Sequence, residues 1–463
     1  MGGPSRAGIA VARLAGGLAR LAGGGATSAP GKVLLRLDPD AVRGLGGRLP
    51  EGSVLVSATN GKTTTTAMTA SILERHGTRL VHNQAGANMR GGIASTLLEA
   101  ARPGGAMSGE MGVFEVDEMW LAGLIEELEP RAVLLGNLLR DQLDRYGELD
   151  TIAERWAQAL AAGPGARAQL VLCADDPVVG DLGRDRERVL YFGVEDDSAA
   201  LPTIGHAADA KHCRSCGAPY VFDAVYLAHL GHYHCPSCGR RRPTPQVYAT
   251  DVSLEGVRAS AFTLNTPAGT TRVALPLPGL YNVYNALGAA ALATALGVPV
   301  PVIAESLEAM EAAFGRAEST TVDGRELRIL LVKNPVGATE VLRTLALEPG
   351  EQDLLGALND QIADGRDVSW IWDADFELMA GRIRRATCTG TRAPELALRL
   401  KYAGVEEARV SVEPDLDKAV ARAVADRPPS GGEAPLYALP TYTAMLALRK
   451  LLGKGGRRLG SES

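Results

Sequence analysis

Aromatic side chains are scarce: Phe, Trp and Tyr make up 5% of the 463 residues. Single-strand nucleic-acid binders rely on aromatic platforms for base stacking, and this chain lacks them. An excess of positive charge is also missing. The formal net charge is -6, whereas a phosphate-neutralising surface leaves a basic domain. No nucleic-acid partner is therefore expected. Nor does any apolar run approach the roughly 18 residues of a membrane span. The apolar stretch from Ile9 to Leu21 is interrupted by Arg13, Gly16, Gly17 and Arg20. It reads as a short peripheral helix packed on the first domain, with a membrane-surface anchor as the alternative. In the absence of an export signal the expected compartment is the cytoplasm, with a peripheral position at the inner face of the membrane left open.

Cysteine is sparse too, but its placement is informative. Of six cysteines, Cys173 and Cys388 stand alone in apolar, strand-like contexts, where burial is the plain reading. The others form two pairs, Cys213/Cys216 and Cys235/Cys238, separated by eighteen residues and each followed by glycine, Gly217 and Gly239. Two such knuckles let four thiolates converge on one Zn2+ at about 2.3 Å, and a site with no open position is structural. His206, His212, His229, His232 and His234 are conceivable substitutes. Arg240-Arg241-Arg242 beside the second pair would suit a nucleic-acid-reading ribbon, but in an acidic chain it reads as a solvated corner.

What is abundant is ordinary globular material, 46% hydrophobic and 22% charged residues, in a chain long enough for two or three domains. From residue 53 onward, short apolar runs alternate with helical stretches, which predicts an α/β fold with a helix-covered parallel sheet. The expected organisation is an N-terminal segment (1–45), an ATP-binding domain (46–314) with the ribbon inserted at about 205–245, and a C-terminal α/β, Rossmann-like domain (315–463).

The segment Ser57-Ala-Thr-Asn-Gly-Lys-Thr-Thr-Thr-Thr66 follows a predicted strand and opens a predicted helix, the context of a phosphate-binding loop. Backbone N–H groups around Asn60 and Gly61, together with the positive helix end, would cradle phosphates. Lys62 would reach the terminal phosphates, and the Thr63 hydroxyl is the natural Mg2+ ligand. Ala58 stands where the Gly-Thr-x-Gly-Lys-Thr form of the loop has glycine. Phe114-Glu115-Val116-Asp117-Glu118 supplies carboxylates for the same ion; Glu115 and Asp117 would share a face if the segment were a strand. The plain alternatives are a helix-capping turn and a solvated acidic turn.

Taken together, Thr59-Asn-Gly-Lys-Thr-Thr64, Glu115-Val-Asp-Glu118, Asn137-x-x-Arg-Asp-Gln-Leu-Asp144, Gly279-Leu-Tyr-Asn-Val-Tyr-Asn-Ala286, Gly315-Arg-Ala-Glu318 and Asn334-Pro-Val-Gly337 resemble the ordered landmarks of the Mur ligase family. Within it, Gly86-Ala-Asn-Met-Arg-Gly-Gly92, Ala363-Asp-Gly-Arg-Asp-Val-Ser-Trp370 and Tyr437-Ala-Leu-Pro-Thr-Tyr442 are similar to the synthetase subunits of lipid II isoglutaminyl synthase. The resemblance implies the cofactors ATP and Mg2+, and Thr59, Asn60, Gly61, Lys62, Thr63 and Thr64 as the phosphate loop. It further implies Asn282 and Asn285 on the adenine side, Arg316 at the interdomain phosphate contact, and catalytic roles for Lys62 and Glu115.

The chain departs from the amino-acid-adding ligases at three points. Gln142 stands where they carry a metal-binding histidine, and no lysine lies between Lys62 and Lys211 to be carbamylated. Lys333 replaces a histidine. The implied reaction is amidation of the D-glutamate α-carboxylate of lipid II, with ammonia from a separate GatD-type glutamine amidotransferase subunit. Asp364, in a Gly turn, is the candidate to orient the partner's catalytic histidine, with Asp360 and Asp367 as competitors. The rival readings are a stand-alone Mur-type or folylpolyglutamate-type amino-acid ligase and a non-catalytic nucleotide-dependent scaffold.

Overall fold

The computed structural model describes residues 28–83, 86–102, 106–141, 149–311, 316–428 and 434–454. The Ile9–Leu21 stretch and Gln142 lie outside them, as does the side chain of Arg316. Helices Ala29–Leu37 and Ala41–Gly46 open the described chain, and Leu34, Ala41, Val42 and Leu45 are wholly buried in the core that follows.

Nine strands form the first sheet: β1 Ser53–Ser57, β2 Leu80–His82, β3 Met111–Glu115, β4 Ala132–Leu135, β5 Gln169–Cys173, β6 Val189–Val194 and, after an inserted hairpin (β7 Val221–Leu227 and β8 Leu230–His234), β9 Val247–Glu255, β10 Ala259–Thr266 and β11 Gly269–Leu275. Their order is β11-β10-β9-β6-β5-β4-β1-β3-β2. From β2 to β9 neighbouring strands are parallel, and these strands read as nearly continuous apolar runs because helices cover both faces. The meander β9–β11 is antiparallel and alternates buried with exposed positions. β1 lies between β3 and β4, so successive crossovers leave it on opposite sides. Its carboxyl end is a topological switch point, where open α/β sheets bind ligands.

The second sheet has six strands, β12 Arg316–Val322, β13 Arg325–Leu330, β14 Gln352–Ala357, β15 Ile383–Thr389, β16 Val410–Val412 and β17 Leu436–Pro440, in the order β12-β13-β17-β14-β15-β16. Adjacent residues feed opposite layers. Leu354 and Tyr437 pack with helices Pro335–Ala346 and Ala393–Tyr402, whereas Leu355 and Ala438 pack with Leu416–Ala425 and Tyr442–Lys454. Cys173 and Cys388 are buried strand residues.

The inserted hairpin has two halves. Cys213, Tyr220, Tyr233 and Cys235 form a small core of their own, while Tyr226, Leu227, Ala228 and Leu230 at the tip join the main core.

Candidate active site

The loop after β1 is built as a phosphate loop. Gly61 has φ +87, and a Cβ there would stand 1.9 Å from Asn285 Oδ1, so only glycine fits. Helix Lys62–Arg75 starts directly after it, turning its first-turn N–H groups and positive end toward the loop. Ala58 keeps φ negative, and its methyl is accommodated by Gly136, where a Cβ would come within 3.0 Å of it. The missing glycine therefore costs the loop no strain.

Lys62 Nζ donates to Ala58 O at 2.5 Å and to Glu118 Oε2 at 2.8 Å, in an almost fully buried ion pair. Burial pulls its pKa down, but Glu118, Asp141 and Glu115 outweigh that and raise it above the ordinary lysine value. The ammonium thus stays charged at neutral pH. Thr59 is buried and staples the loop to the segment after β4: its hydroxyl donates to Leu139 O and accepts from Leu139 N–H. Asn60 N–H donates to Asn137 Oδ1 at 2.9 Å. The Thr63 side chain is half-buried beside the loop, and Thr64 is buried in the first helical turn.

Glu115 closes β3, buried, with Oε1 accepting from Asn88 Nδ2 at 3.1 Å. The strand ends there, so Asp117 sits in the following turn and the expected shared face with Glu115 does not form. The third carboxylate of the motif, Glu118, is instead the one that meets Lys62. Among the described residues, only the four cysteines form a ready-made cluster of three or more metal-ligating His, Cys, Asp or Glu side chains. Thr63 and Glu115 fit Mg2+ in its usual manner, with one or two protein oxygens and the remaining positions left to water and phosphate.

Helix Leu280–Ala295 presents Asn282 and Asn285, three residues apart on one face. Both are buried. Asn282 Nδ2 donates to Pro278 O at 2.8 Å, and Asn285 Nδ2 to Asn282 Oδ1 at 3.1 Å. Asn285 lines a cleft that runs from Asn60 and Gly61 past Tyr284 to the hairpin tip at Leu227 and Leu230.

The opposite wall of this cleft comes from the second sheet. Just beyond β13, Lys333 Nζ bonds Asp141 Oδ2 at 2.9 Å. Asn334 Nδ2 bonds Asn60 Oδ1 at 2.8 Å and Asp141 Oδ1 at 3.0 Å, and Asn334 Oδ1 accepts Gly337 N–H at 2.8 Å as the cap of helix Pro335–Ala346. Burial alone would raise the Asp141 pKa, but Lys333 and Lys62 hold it below the ordinary value. Loss of an N-cap costs about 1 kcal/mol. Asn334→Ala is expected to cost more, because it also removes both contacts with the phosphate-loop side. Chemical denaturation measures this, and a loss no larger than the cap alone would show that these contacts add no docking energy.

The four cysteine sulfurs lie within 4.8 Å of one another. Cys213 Sγ and Cys238 Sγ are 3.6 Å apart, and Cys216 Sγ and Cys235 Sγ 3.5 Å, close to the edge of about 3.8 Å in a tetrahedron with Zn–S of 2.3 Å. Gly217 and Gly239 adopt matching left-handed conformations, φ +76 and +75. At Cys213 burial opposes ionisation, but the N–H groups of Ser215 and Cys216 outweigh it and bring the thiol down to about 6. The donor set fits a zinc ion, and no histidine belongs to the cluster. His229 is wholly buried at the hairpin tip, where its Nδ1 accepts from Asp209 N–H (3.2 Å) and Ala210 N–H (3.3 Å), leaving Nε2 to donate to Asp176 Oδ2 at 3.3 Å.

Arg242 corrects the reading of the arginine run as solvated. It is nearly buried, with Nε donating to Asp175 Oδ1 and Nη1 to Glu195 Oε1, both at 2.6 Å. Asp175 Oδ2 in turn accepts the Tyr284 hydroxyl at 2.6 Å. Arg242 thus anchors the insert to the sheet and Arg240 pairs with Asp181 at 3.0 Å, while Arg241 is exposed.

Asp364 is buried, accepting Thr443 N–H at 2.7 Å and the Thr443 hydroxyl. Asp360 pairs with Arg392 at 2.7 Å, and Asp367 is exposed. A second cleft joins Asp364 and Asp367 to Asp141 and Lys333.

A family model for the Mur ligase middle domain matches residues 56–217, and one for the MurT ligase C-terminal region matches residues 331–445. The MurT subunit of lipid II isoglutaminyl synthase (glutamine-hydrolyzing) from Staphylococcus aureus strain N315 is 31% identical over 429 residues, spanning 92% of this chain and 93% of that protein. The chain belongs to the MurT family. The Streptococcus pneumoniae R6 MurT subunit is 32% identical, over 91% of each protein. A pseudomurein peptide ligase type C from Methanothermus fervidus shares the fold, with TM-score 0.65 and 21% identity over 91% of this chain and 84% of that one. As a MurT-family protein this chain is an ATP-dependent ligase subunit of Mur ligase fold. No helix of the described residues is long and apolar enough to cross a membrane.

Proposed function

We propose that this MurT-family chain activates the α-carboxylate of D-glutamate in the lipid II stem peptide as an acyl phosphate and amidates it with ammonia from a GatD-type glutaminase subunit. The observation that carries the reading is the cleft between the two sheets on which Asn60, Gly61, Asn285 and Lys333 converge, with Asp141 and Asn334 tied to its walls and the charges of Glu115 and Asp141 acting on Lys62. The relatives named as glutamine-hydrolyzing synthase subunits support the choice of substrate and nitrogen source.

A carboxylate resists nucleophiles because it is negatively charged. Transfer of the ATP γ-phosphoryl group to one of its oxygens breaks the bond to ADP and makes a good leaving group. Ammonia then attacks the carbonyl carbon, phosphate departs and a proton is lost. The protein's work is positioning and charge neutralisation. Lys62 would face the terminal phosphates, and Thr63 and Glu115 would hold Mg2+, which would supply positive charge against the charge that develops there. The second cleft, from Lys333 and Asp141 to Asp364 and Asp367, gives ammonia an approach from the segment assigned to the partner. Asp364, held in its Gly turn by Thr443, is the carboxylate that would orient the partner's catalytic histidine, with Asp360 and Asp367 as competitors. The four cysteines would hold zinc, which would tie the knuckles of the insert together.

Reconstitution with a glutaminase subunit tests the reading. Lipid II, ATP and glutamine are expected to yield a product with the small mass loss of a carboxyl becoming a carboxamide. Amino-acid addition instead would favour the stand-alone ligase reading, and no ATP turnover with substrate and partner present would favour the scaffold.

A further inference from the structure

One acidic group in the nucleotide cleft takes no part in the steps above. Glu340 stands in the middle of helix Pro335–Ala346 and lines the cleft with Asn285, Tyr281 and Val336. Its side chain is 7% exposed. Among the described residues its carboxyl oxygens accept no hydrogen bond. Arg343 is its ion-pair partner, with Nε 3.6 Å from Oε1, beyond hydrogen-bond reach, and Arg343 also leans toward Asp375 at 3.7 Å. Glu340 lines the cleft, so a ligand there can supply the donor that the protein does not. Burial and the neighbouring Asp375 push this carboxyl up to about 7, against the pull of Arg343.

Position along the helix indicates what faces it. Asn334, the cap of the same helix, touches Asn60 of the phosphate loop. Six residues of helix advance about 9 Å, which carries a bound nucleotide from its phosphates toward its nucleoside. Leu227, Leu230 and Leu330 line the cleft together with Tyr281, Tyr284 and Asn285, and among its lining residues Glu340 is the one carboxylate.

We propose that Glu340 is a specificity-determining residue for the nucleotide, its carboxyl accepting a hydrogen bond from a donor on the nucleoside, either a ribose hydroxyl or the exocyclic amine of the base. The inference rests on the reading of this cleft as the ATP site. Full-length wild type and Glu340→Met are titrated calorimetrically with Mg-ATP, 2′-deoxy-ATP, 3′-deoxy-ATP and a purine riboside triphosphate lacking the amine. Hydrogen bonds to charged groups correspond to roughly 10–100-fold in affinity. Glu340→Met is expected to bind ATP at least about 10-fold more weakly. Wild type should penalise at least one analogue by a similar factor, identifying sugar or base, while the variant binds ATP and that analogue alike.

Methionine has a similar volume and removes a buried ionisable group, so the melting temperature should hold or rise. A purely structural glutamate would instead show a lower melting temperature with ATP affinity intact. Wild-type affinity in Glu340→Met, or unchanged discrimination against every analogue, overturns the assignment of Glu340 alone. Failure of both proteins to bind ATP overturns the nucleotide reading together with it.

Discussion

Replacing Lys62 with methionine is expected to lower ATP-dependent amidation by about 10³-fold, the scale of losing a pre-organised charge at a site of developing negative charge. The ammonium sits within a fold that has few other ways to supply it. Glu118, Glu115 and Asp141 all face it, and Lys333 is already committed to Asp141 at 2.9 Å. The same substitution leaves Glu118 buried beside an apolar chain, and breaking a buried pair from one side costs about 3–5 kcal/mol. Loss of activity by unfolding must therefore be separated from loss of chemistry. The double variant Lys62→Met/Glu118→Gln removes both charges and should recover most of the melting temperature while amidation stays lost. Recovery of turnover along with stability would show that Lys62 serves the fold and not the phosphates.

Glu118 illustrates what the sequence could and could not convey. The strand–loop–helix order of the phosphate loop was legible, because hydrophobic runs, Gly61 and the hydroxyl-rich helix start are local signals. The pairing of Lys62 with Glu118 was not: it depends on β3 ending at Glu115, which turns the next residues back toward the loop. Similarly, Lys333 and Asn334 were visible as a motif, but their contacts with Asp141 and Asn60 span about 190 and 270 residues of chain and exist only once the two sheets dock. Arg242 was misread for the same reason. Three consecutive arginines look like solvated surface until Asp175, from the far end of β5, is brought beneath the last of them. The cysteine knuckles lie at the other extreme, since their spacing and glycines already contain the geometry. Asp364 was singled out for its Gly turn, and the turn is there; its hold on Thr443 was not legible, because the two residues lie 79 apart in the chain.

Removal of the metal from the insert should have the second large effect, and the structure indicates where it stops. The protein is expected to purify with about one zinc per chain, and a Cys235→Ser variant or a chelated sample to lose it. Zinc contributes roughly 10–16 kcal/mol to small folds of this type, whereas the knuckle half of the insert has only Tyr220, Tyr233 and the buried cysteines as its own core. That half should unfold without the ion and become open to proteolysis around residues 205–245. The tip is tied down separately, through His229 to Asp176 and through Leu227 and Leu230 to the main core. Arg242, a few residues beyond the second knuckle, carries disturbance inward to Asp175 and the Tyr284 hydroxyl in the nucleotide cleft. Zinc loss should therefore leave the two sheets folded but weaken ATP binding, as seen by limited proteolysis and calorimetry on the same sample. Metal analysis that finds no zinc in protein purified without chelator would defeat this, as would a Cys235→Ser chain with unchanged protection and ATP affinity.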